Sequence, residues 1–374
     1  MLLPRIKPEH RPYRTDSGGI RIGGSIHGIG AEIDDPTGWI WTLVSLADGT
    51  RSGAAIGAEV AARHPAVPPA QAAAGLARLT AAGFLEDAGS APPPELTARE
   101  RERHSRGHDL YRWMDLGPRA NGWDVQLRLR NARVLLIGLG GTGGAAALAL
   151  AASGVGELRC VDPDTVELSN LNRQTLYTEA DLGRPKAEAA GARLRALNSD
   201  ITVLARRLRI TGPDDLRPLV EEAPRPDLLL LCADRPDDVR RWTNRICLDA
   251  GLPWLDAGYR GPLATVGVHA PGRGACWECL HTAGRAGRDT GLPPGADEQE
   301  VTPRMPWNPA NAVTAGLSGA LLAHAALALL TGVPPLEPGF RFGLNLMLPG
   351  EPLLERHPRR PDCPACGTPP PGAG

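Results

Sequence analysis

The chain has 374 residues, 42% of them hydrophobic, with 41 basic and 42 acidic side chains and a formal net charge of −1. That length suits roughly two to three domains with ample core, and the charge balance gives no electrostatic case for nucleic acid or an anionic membrane. Apolar runs break before about 18 residues and the start, MLLPRIKPEHR, lacks a signal-peptide core, so a cytoplasmic chain with reduced thiols and no membrane partner is expected.

Residues 1 to about 15 show no periodicity and read as a flexible lead-in. From Gly19 to Ile33 the isoleucines alternate weakly, as half-buried strands do, and Trp39-Ile-Trp-Thr-Leu continues that apolar signal. Leu46-Ala-Asp-Gly-Thr is a turn. Ala54–His64 and Pro69–Ala82 have helical patterns, and Gly83-Phe-Leu-Glu ends the second. Strands followed by two short helices predict a small winged-helix-like α+β domain over residues 1–90. The Ala-rich second helix offers no basic face for DNA. Ala91-Pro-Pro-Pro is a stiff linker and places a boundary at 91–98. Arg99–Leu116 then reads as one charged amphipathic helix containing Arg103-His104-Ser105-Arg106.

Arg133–Gly138 is an apolar run closing on glycine, the pattern of a buried parallel strand. Gly138, Gly140 and Gly143 give G-x-G-x-x-G with an extra Gly141, and an Ala/Leu-rich helix follows to about Ser153. Such glycines let the backbone turn tightly and approach a phosphate at the helix start. A second strand, Glu157–Val161, ends at Asp162, where a ribose-binding carboxylate is expected. Alone this says only that a nucleotide binds a Rossmann-like unit. Asn170, Arg173 and Gln174 then crowd into a polar loop, and Lys186 opens the next helix. A dinucleotide needs no such set, whereas a triphosphate needs its charge neutralised and its leaving group stabilised. Of 41 basic residues only Lys7 and Lys186 are lysines, so a lysine kept here reads as a compact charge for phosphate; the bland alternative is a solvated surface lysine.

Lys186–Asn198 predicts a helix and Ile201–Leu208 a strand. Asp227–Asp234 is an apolar strand that delivers Asp234 at its carboxyl end, where open α/β sheets bind ligands and a carboxylate suits Mg²⁺. Capping a helix from Pro236 onward is compatible with that role. Pro253–Gly258 and Leu263–His269 are further strands. Cys276-Trp-Glu-Cys279 and Cys363-Pro-Ala-Cys366 are paired C-x-x-C knuckles that would close a four-thiolate, structural Zn²⁺ site. Residues 281–305 form a Gly/Pro/charge-rich loop. Asn308–Thr331 is an apolar helix for core or dimer interface, Phe340–Met347 a last strand, and 367–374 a disordered tail. Cys160, Cys232 and Cys247 read as buried, inert thiols.

GLGGTGG, D-x-D-x-V-E-x-S-N-L-N-R-Q and the later C-A-D resemble the ThiF/MoeB-type adenylyltransferases, bacterial relatives of the ubiquitin-activating enzymes, over about Arg99–Cys366. The resemblance implies a Rossmann-like α/β ATP-binding domain over 99–366 that adenylates a carboxylate and releases pyrophosphate. It implies that Gly138, Gly140, Gly141, Gly143 and Gln174 form the nucleotide site, that Asp162 holds the ribose, and that Asn170, Arg173 and Lys186 hold the triphosphate. Asp234 would hold Mg²⁺. The family's R-Y-x-R-Q-like string places Arg106 at the triphosphate of the partner subunit of a homodimer, with Gly107 where the family has glutamine. A crossover loop over 281–305 would cover the site; some members carry a nucleophilic cysteine there, but this chain has none from Leu280 to Asp362, so no thioester step is expected.

The D-G-T turn and the L-x-x-L-x-x-x-G-F-L ending make residues 1–90 resemble the PqqD-like leader-recognition domains of enzymes that modify ribosomal peptides. The expected function is therefore ATP-dependent adenylation of a precursor peptide in the biosynthesis of a peptide natural product. Two alternatives stay open: activation of a small ThiS/MoaD-like sulfur-carrier protein at its C-terminal glycine, and a non-catalytic leader-binding partner of a cyclodehydratase.

Overall fold

The segment expected to be a flexible lead-in is structured. It supplies β1 (Pro4–Ile6) and β2 (Tyr13–Arg14), followed by β3 (Ile20–Ile22), β4 (Ala31–Ile33), α1 (Trp39–Leu46), α2 (Gly53–Arg63), α3 (Pro69–Ala81) and β5 (Leu85–Asp87). The computed structural model describes residues 2–119, 121–286, 291–293 and 308–367. In it β1 pairs antiparallel with β5, the buried Lys7 donates to the Asp115 carbonyl at 2.6 Å, and a ring nitrogen of His10 lies 2.8 Å from the Trp113 carbonyl. All these partners are distant in sequence, so local periodicity carries no trace of them. Trp39–Leu43 is helical because the Asp35 carboxylate accepts the backbone N–H groups of Ile40 and Trp41 at 3.1 and 3.0 Å, closing the helix start.

The expected single helix at 99–116 breaks at His104 into α4 (Ala98–Arg103) and α5 (Ser105–Met114), and Thr97 with Glu100 makes a capping box at the start. The chain divides into two compact units, Met1–Arg128 and Leu129–Gly374, so residues 91–98 lie inside the first unit. The reason is visible in α5: Arg112 donates to Glu9 at 2.9 Å and lies 3.7 Å from Glu86. Ile22, Leu43, Ile56, Val60, Leu79 and Phe84 form this unit's core.

The helix α6 (Trp123–Asn131) straddles the division. Beyond it come β6 (Arg133–Ile137), α7 (Gly141–Ala152), β7 (Glu157–Val161), α8 (Lys186–Leu197), β8 (Thr202–Arg206), α9 (Pro213–Glu221), β9 (Leu228–Leu231) and α10 (Val239–Ala250). The rest is β10 (Trp254–Arg260), β11 (Leu263–His269), α11 (Trp277–Ala286), α12 (Ala312–Thr331), β12 (Phe340–Asn345) and β13 (Pro352–Arg356). One sheet has the order β13-β12-β11-β10-β9-β6-β7-β8, parallel from β10 to β8 and antiparallel from β10 to β13. β9 is four buried leucines, as a strand covered on both faces requires, whereas the edge strand β8 alternates.

The chain winds outward from β6 to β8 and then returns to the other side of β6 as β9, with Ile137 opposite Leu231. That reversal leaves a crevice at the carboxyl ends of β6 and β9, the place where such sheets bind ligands. α12 packs on α7 and on β10 and β11. It is the one described helix long and apolar enough to cross a bilayer, and half of that stretch is buried. The packing on α7 is close: a Cβ on Gly141 would stand 2.6 Å from the Ala315 Cβ, and one on Gly319 2.6 Å from the Ala145 Cβ. Of the loop expected at 281–305, residues 281–286 complete α11; the remainder, apart from 291–293, lies outside the described residues. So does the expected tail from 368 onward.

Candidate active site

The turn from β6 into α7 is built by steric necessity. Gly138 has φ 93°, and a Cβ there would stand 2.8 Å from the Ala233 nitrogen; a Cβ on Gly143 would stand 1.9 Å from the Gly138 oxygen. Those two glycines serve strand and helix packing, and Gly141 serves α12. Gly140 is the one with space before it, its nearest neighbour being Gln174 Nε2 at 3.9 Å from an ideal Cβ. Leu139 between them is pinned on both sides. Its N–H donates to Asp162 Oδ2 at 2.7 Å, and its carbonyl accepts the Tyr177 hydroxyl at 2.9 Å.

Two adjoining hollows, about 500 and 670 Å³, open at this turn and share Gly140, Asp164, Lys186, Arg209, Cys232 and Asp234. The first is walled by Thr142, Asn170, Arg173, Gln174, Arg207 and Tyr259, and the second by Ile137, Val161, Leu208, Ile210 and Val239. One is therefore suited to a chain of anionic groups and the other to a flat apolar ring. Lys186 is 6% exposed, and its Nζ lies 3.4 Å from Asp164 Oδ2; Arg209 lies 3.4 Å from the other oxygen of Asp164. Asn170 Oδ1 accepts the Glu167 N–H at 3.1 Å, which fixes the loop. Gln174 is buried, and its Oε1 has no partner among the described residues. Arg173 donates to the Ser169 carbonyl at 2.8 Å and also reaches the Tyr259 hydroxyl, whose pKa burial pushes up.

The structure separates the two acids of the D-x-D string. Asp162 is buried, with one oxygen on the Leu139 N–H and the other on the Asp164 N–H at 2.9 Å. Burial pushes its carboxyl up against the pull of those bonds and of Lys186. Asp164, which the sequence reading passed over, is the exposed one. Asp234 leaves β9 with its side chain 68% exposed, and its Oδ1 accepts from Arg240 at 2.9 Å. It does not cap a helix: α10 begins at Val239 with Asp238 at the capping position. Arg240 is also 3.4 Å from Asp256, which bonds His269 at 2.8 Å. Burial would raise the Asp256 carboxyl, but the His269 bond and the charges of Arg341 and Arg240 hold it well below the usual carboxylate range. Arg207, Arg209, Tyr259 and Arg240 were also missed. In a chain this rich in arginine, one more arginine is no signal, whereas Asp164 could have been found as the second acid of its string.

At the far end of the sheet the four knuckle cysteines converge, all their sulfurs lying within 4.8 Å of one another. Cys276–Cys279, Cys276–Cys363 and Cys279–Cys366 are separated by 3.8, 3.7 and 3.5 Å. Disulfides need about 2.05 Å. A tetrahedron with Zn–S of about 2.3 Å has edges of about 3.8 Å, so the set fits Zn²⁺ as it stands. The Asn244 amide lies 3.6 Å from the Cys276 sulfur, and the Arg360 N–H 3.4 Å from that of Cys279, so both sulfurs face donors that favour the thiolate.

The ThiF family model matches residues 113–365. The chain belongs to the ThiF family. It is 34% identical over 249 residues to the sulfur carrier protein ThiS adenylyltransferase of Escherichia coli K12, a match covering 65% of this chain and 89% of that one. It also resembles the crystal structure of E. coli MccB with MccA, with TM-score 0.75 and 26% identity, covering 98% of this chain and 99% of that one. The structure of MccB with ATP matches with TM-score 0.73 and 25% identity, over 97% of this chain and 99% of that one.

The residues of this ThiF-family chain fit the groups such a site would take. The orphaned Gln174 oxygen beside Gly140, the buried Lys186 and the arginines around them suit a nucleoside triphosphate. Asp164 and Asp234 line the same polar hollow and suit Mg²⁺, which binds through one or two carboxylates plus phosphates. Arg106 is on α5 in the first unit, exposed, and is not among the residues that line the hollows. Cys160 and Cys247 are buried, as expected, and burial pushes the Cys160 thiol up to about 12. Cys232 departs from the expectation: it follows β9 rather than sitting within it and lines both hollows, though burial raises its pKa as well.

Proposed function

We propose that the chain is an ATP-dependent adenylyltransferase that activates a carboxylate of a ribosomally made precursor peptide. The likeness to MccB with MccA carries this reading, because it extends over 98% of the chain and so takes in the first unit; the match to the ThiS adenylyltransferase covers 65%. Adenine would lie in the apolar hollow against Ile210 and Val239, with the ribose near Asp164 and the loop that Asp162 holds. The triphosphate would follow Gly140 into the polar hollow, against Arg173 and Lys186. Asp234 would hold Mg²⁺, which would supply positive charge against the developing charge on the phosphates. A peptide carboxylate oxygen attacks the α-phosphorus, the bond to the bridging oxygen breaks, and pyrophosphate leaves. The chain's own work is positioning and charge stabilisation, with no thiol in the reaction.

The three-stranded sheet β2-β3-β4 of the first unit has β4 at one edge, where an extended leader could add as a further strand. Tethering by a leader raises the effective concentration of the carboxylate, so a peptide without it should lose about 10²–10⁴ in kcat/KM. ATP–pyrophosphate exchange should therefore respond to a full-length precursor peptide and fall by that factor when its N-terminal half is removed. Exchange driven by a small protein ending in Gly-Gly, and not by any peptide, would establish the second reading, which the 34% identity to the ThiS adenylyltransferase favours.

The active form in this reading is a homodimer with Arg106 reaching the partner's triphosphate. An Arg106→Ala chain mixed with an Asp234→Asn chain should recover up to about one site's activity per heterodimer, half that of a wild-type dimer, since one of its two sites is intact. Heterodimers that form and stay inactive would remove Arg106 from the site.

A further inference from the structure

Asp234 stands at the end of a line of polar contacts that phosphate binding does not itself require. Its Oδ1 accepts from Arg240 Nη2 at 2.9 Å, Arg240 Nε lies 3.4 Å from Asp256 Oδ2, and Asp256 Oδ1 lies 2.8 Å from His269 Nε2. The line runs from water into the core: the four side chains are 68, 22, 9 and 2% exposed. Its inner end is fixed by packing. The Trp254 ring sits 4.5 Å from that of His269, and Gly267 leaves the room, since a Cβ there would stand 2.2 Å from Asp256 Oδ1. Its outer end is a single carboxylate on the loop after β9, whose Oδ2 takes no hydrogen bond or ion pair among the described residues.

An exposed carboxylate turns freely about its side-chain bonds. A guanidinium holds its donors in a rigid plane, so anchoring Nε on one acid fixes where Nη2 can hold another. We propose that Arg240, anchored by Asp256 and His269, is a positioning residue that locks Asp234 with Oδ2 presented to the metal–phosphate group. The proposal rests on the reading above in which Asp234 holds Mg²⁺.

Charge and geometry make opposite demands here. Arg240 is a cation beside a cation site, so on charge alone its removal should strengthen metal binding. If it acts by positioning, its removal should weaken it. ATP affinity is measured by titration calorimetry with the full chain, in EDTA and then in Mg²⁺, and the gain on adding Mg²⁺ is compared between variants. Arg240→Gln should cut that gain by about 10- to 100-fold, the usual cost of losing an outer-shell partner, and leave the metal-free affinity within about twofold. Arg240→Lys should not restore it, because one ammonium cannot span both carboxylates. His269→Phe should cut the gain less. His269→Gln, whose amide N–H can occupy the place of Nε2–H, should recover it, and a purely structural role would not show that recovery. Zinc content and thermal unfolding report whether each variant folds. An unchanged or larger gain in Arg240→Gln overturns the proposal and leaves Asp234's role intact. A wild-type chain that gains nothing from Mg²⁺ removes that role and the proposal with it.

Discussion

Cys276→Ser and Cys363→Ser chains should lose most of their zinc and unfold well below the wild-type temperature. The four sulfurs lie within 4.8 Å of one another, and three of them are buried. Thiolates this close repel unless a cation sits among them. The centre ties the first turn of α11 to the segment after β13, and its own apolar cluster among the described residues is small: Ala275, Leu280 and a few partly buried neighbours, with Trp277 belonging to the main core. That local cluster is too small to hold the segment after β13 without the metal. Structural zinc sites are worth an apparent 10–16 kcal/mol, on the order of the whole net stability of a domain, about 5–15 kcal/mol. A loss of even a few kcal/mol would lower Tm by roughly 10 °C, because each 1 kcal/mol moves a domain of this size by about 2–4 °C. Metal analysis should find about one zinc per wild-type chain, and a strong chelator should reproduce the serine phenotype. Soluble, folded wild-type protein without zinc, melting where the serine variants melt, would end this reading.

Lys186→Ala should lower ATP–pyrophosphate exchange by about 10²–10³, the usual cost of removing one preorganised charge from a developing anion. The size of the effect follows from burial. Arg207 and Arg209 also line the polar hollow, but both are exposed and screened by water, whereas Lys186 is 6% exposed. Its position is set by main chain as well as side chain, since the Lys186 N–H donates to the Asp164 carbonyl at 2.8 Å at the start of α8. Lys186→Arg should recover little, because a planar guanidinium does not fit where a compact ammonium is enclosed. Arg209→Ala, at an exposed position, should cost about tenfold or less. Exchange within threefold of wild type in a folded Lys186→Ala chain would place the phosphates elsewhere.

Much of the second unit was legible before any coordinates. β7 and β11 run over the residues expected, and β6, α7 and α8 differ from the expected spans by a residue at an end, because runs of apolar residues and glycines write these elements locally. The knuckle cysteines were legible too, since few other chemistries need two C-x-x-C pairs. The first unit was less so. Its β1 owes its existence to β5 and its neighbouring anchors to residues 113–115, and short-range patterns cannot record pairings made across so much chain.

The sequence by itself determined the glycine turn, the alternation of buried strands with helices, and the identities of the residues that could hold a nucleotide and a metal. Only the tertiary structure decided their arrangement. The reversal of winding at β6 and β9 brings Asp234 to Gly140 from nearly a hundred residues away. The Leu139 and Asp164 N–H groups hold Asp162 at the wall of the apolar hollow alone, whereas Asp164 lines both hollows. The physical reason is common to both cases. A carboxylate's role depends on which donors reach it and how much water remains around it, and those are set by side chains that neighbour it in space rather than along the chain.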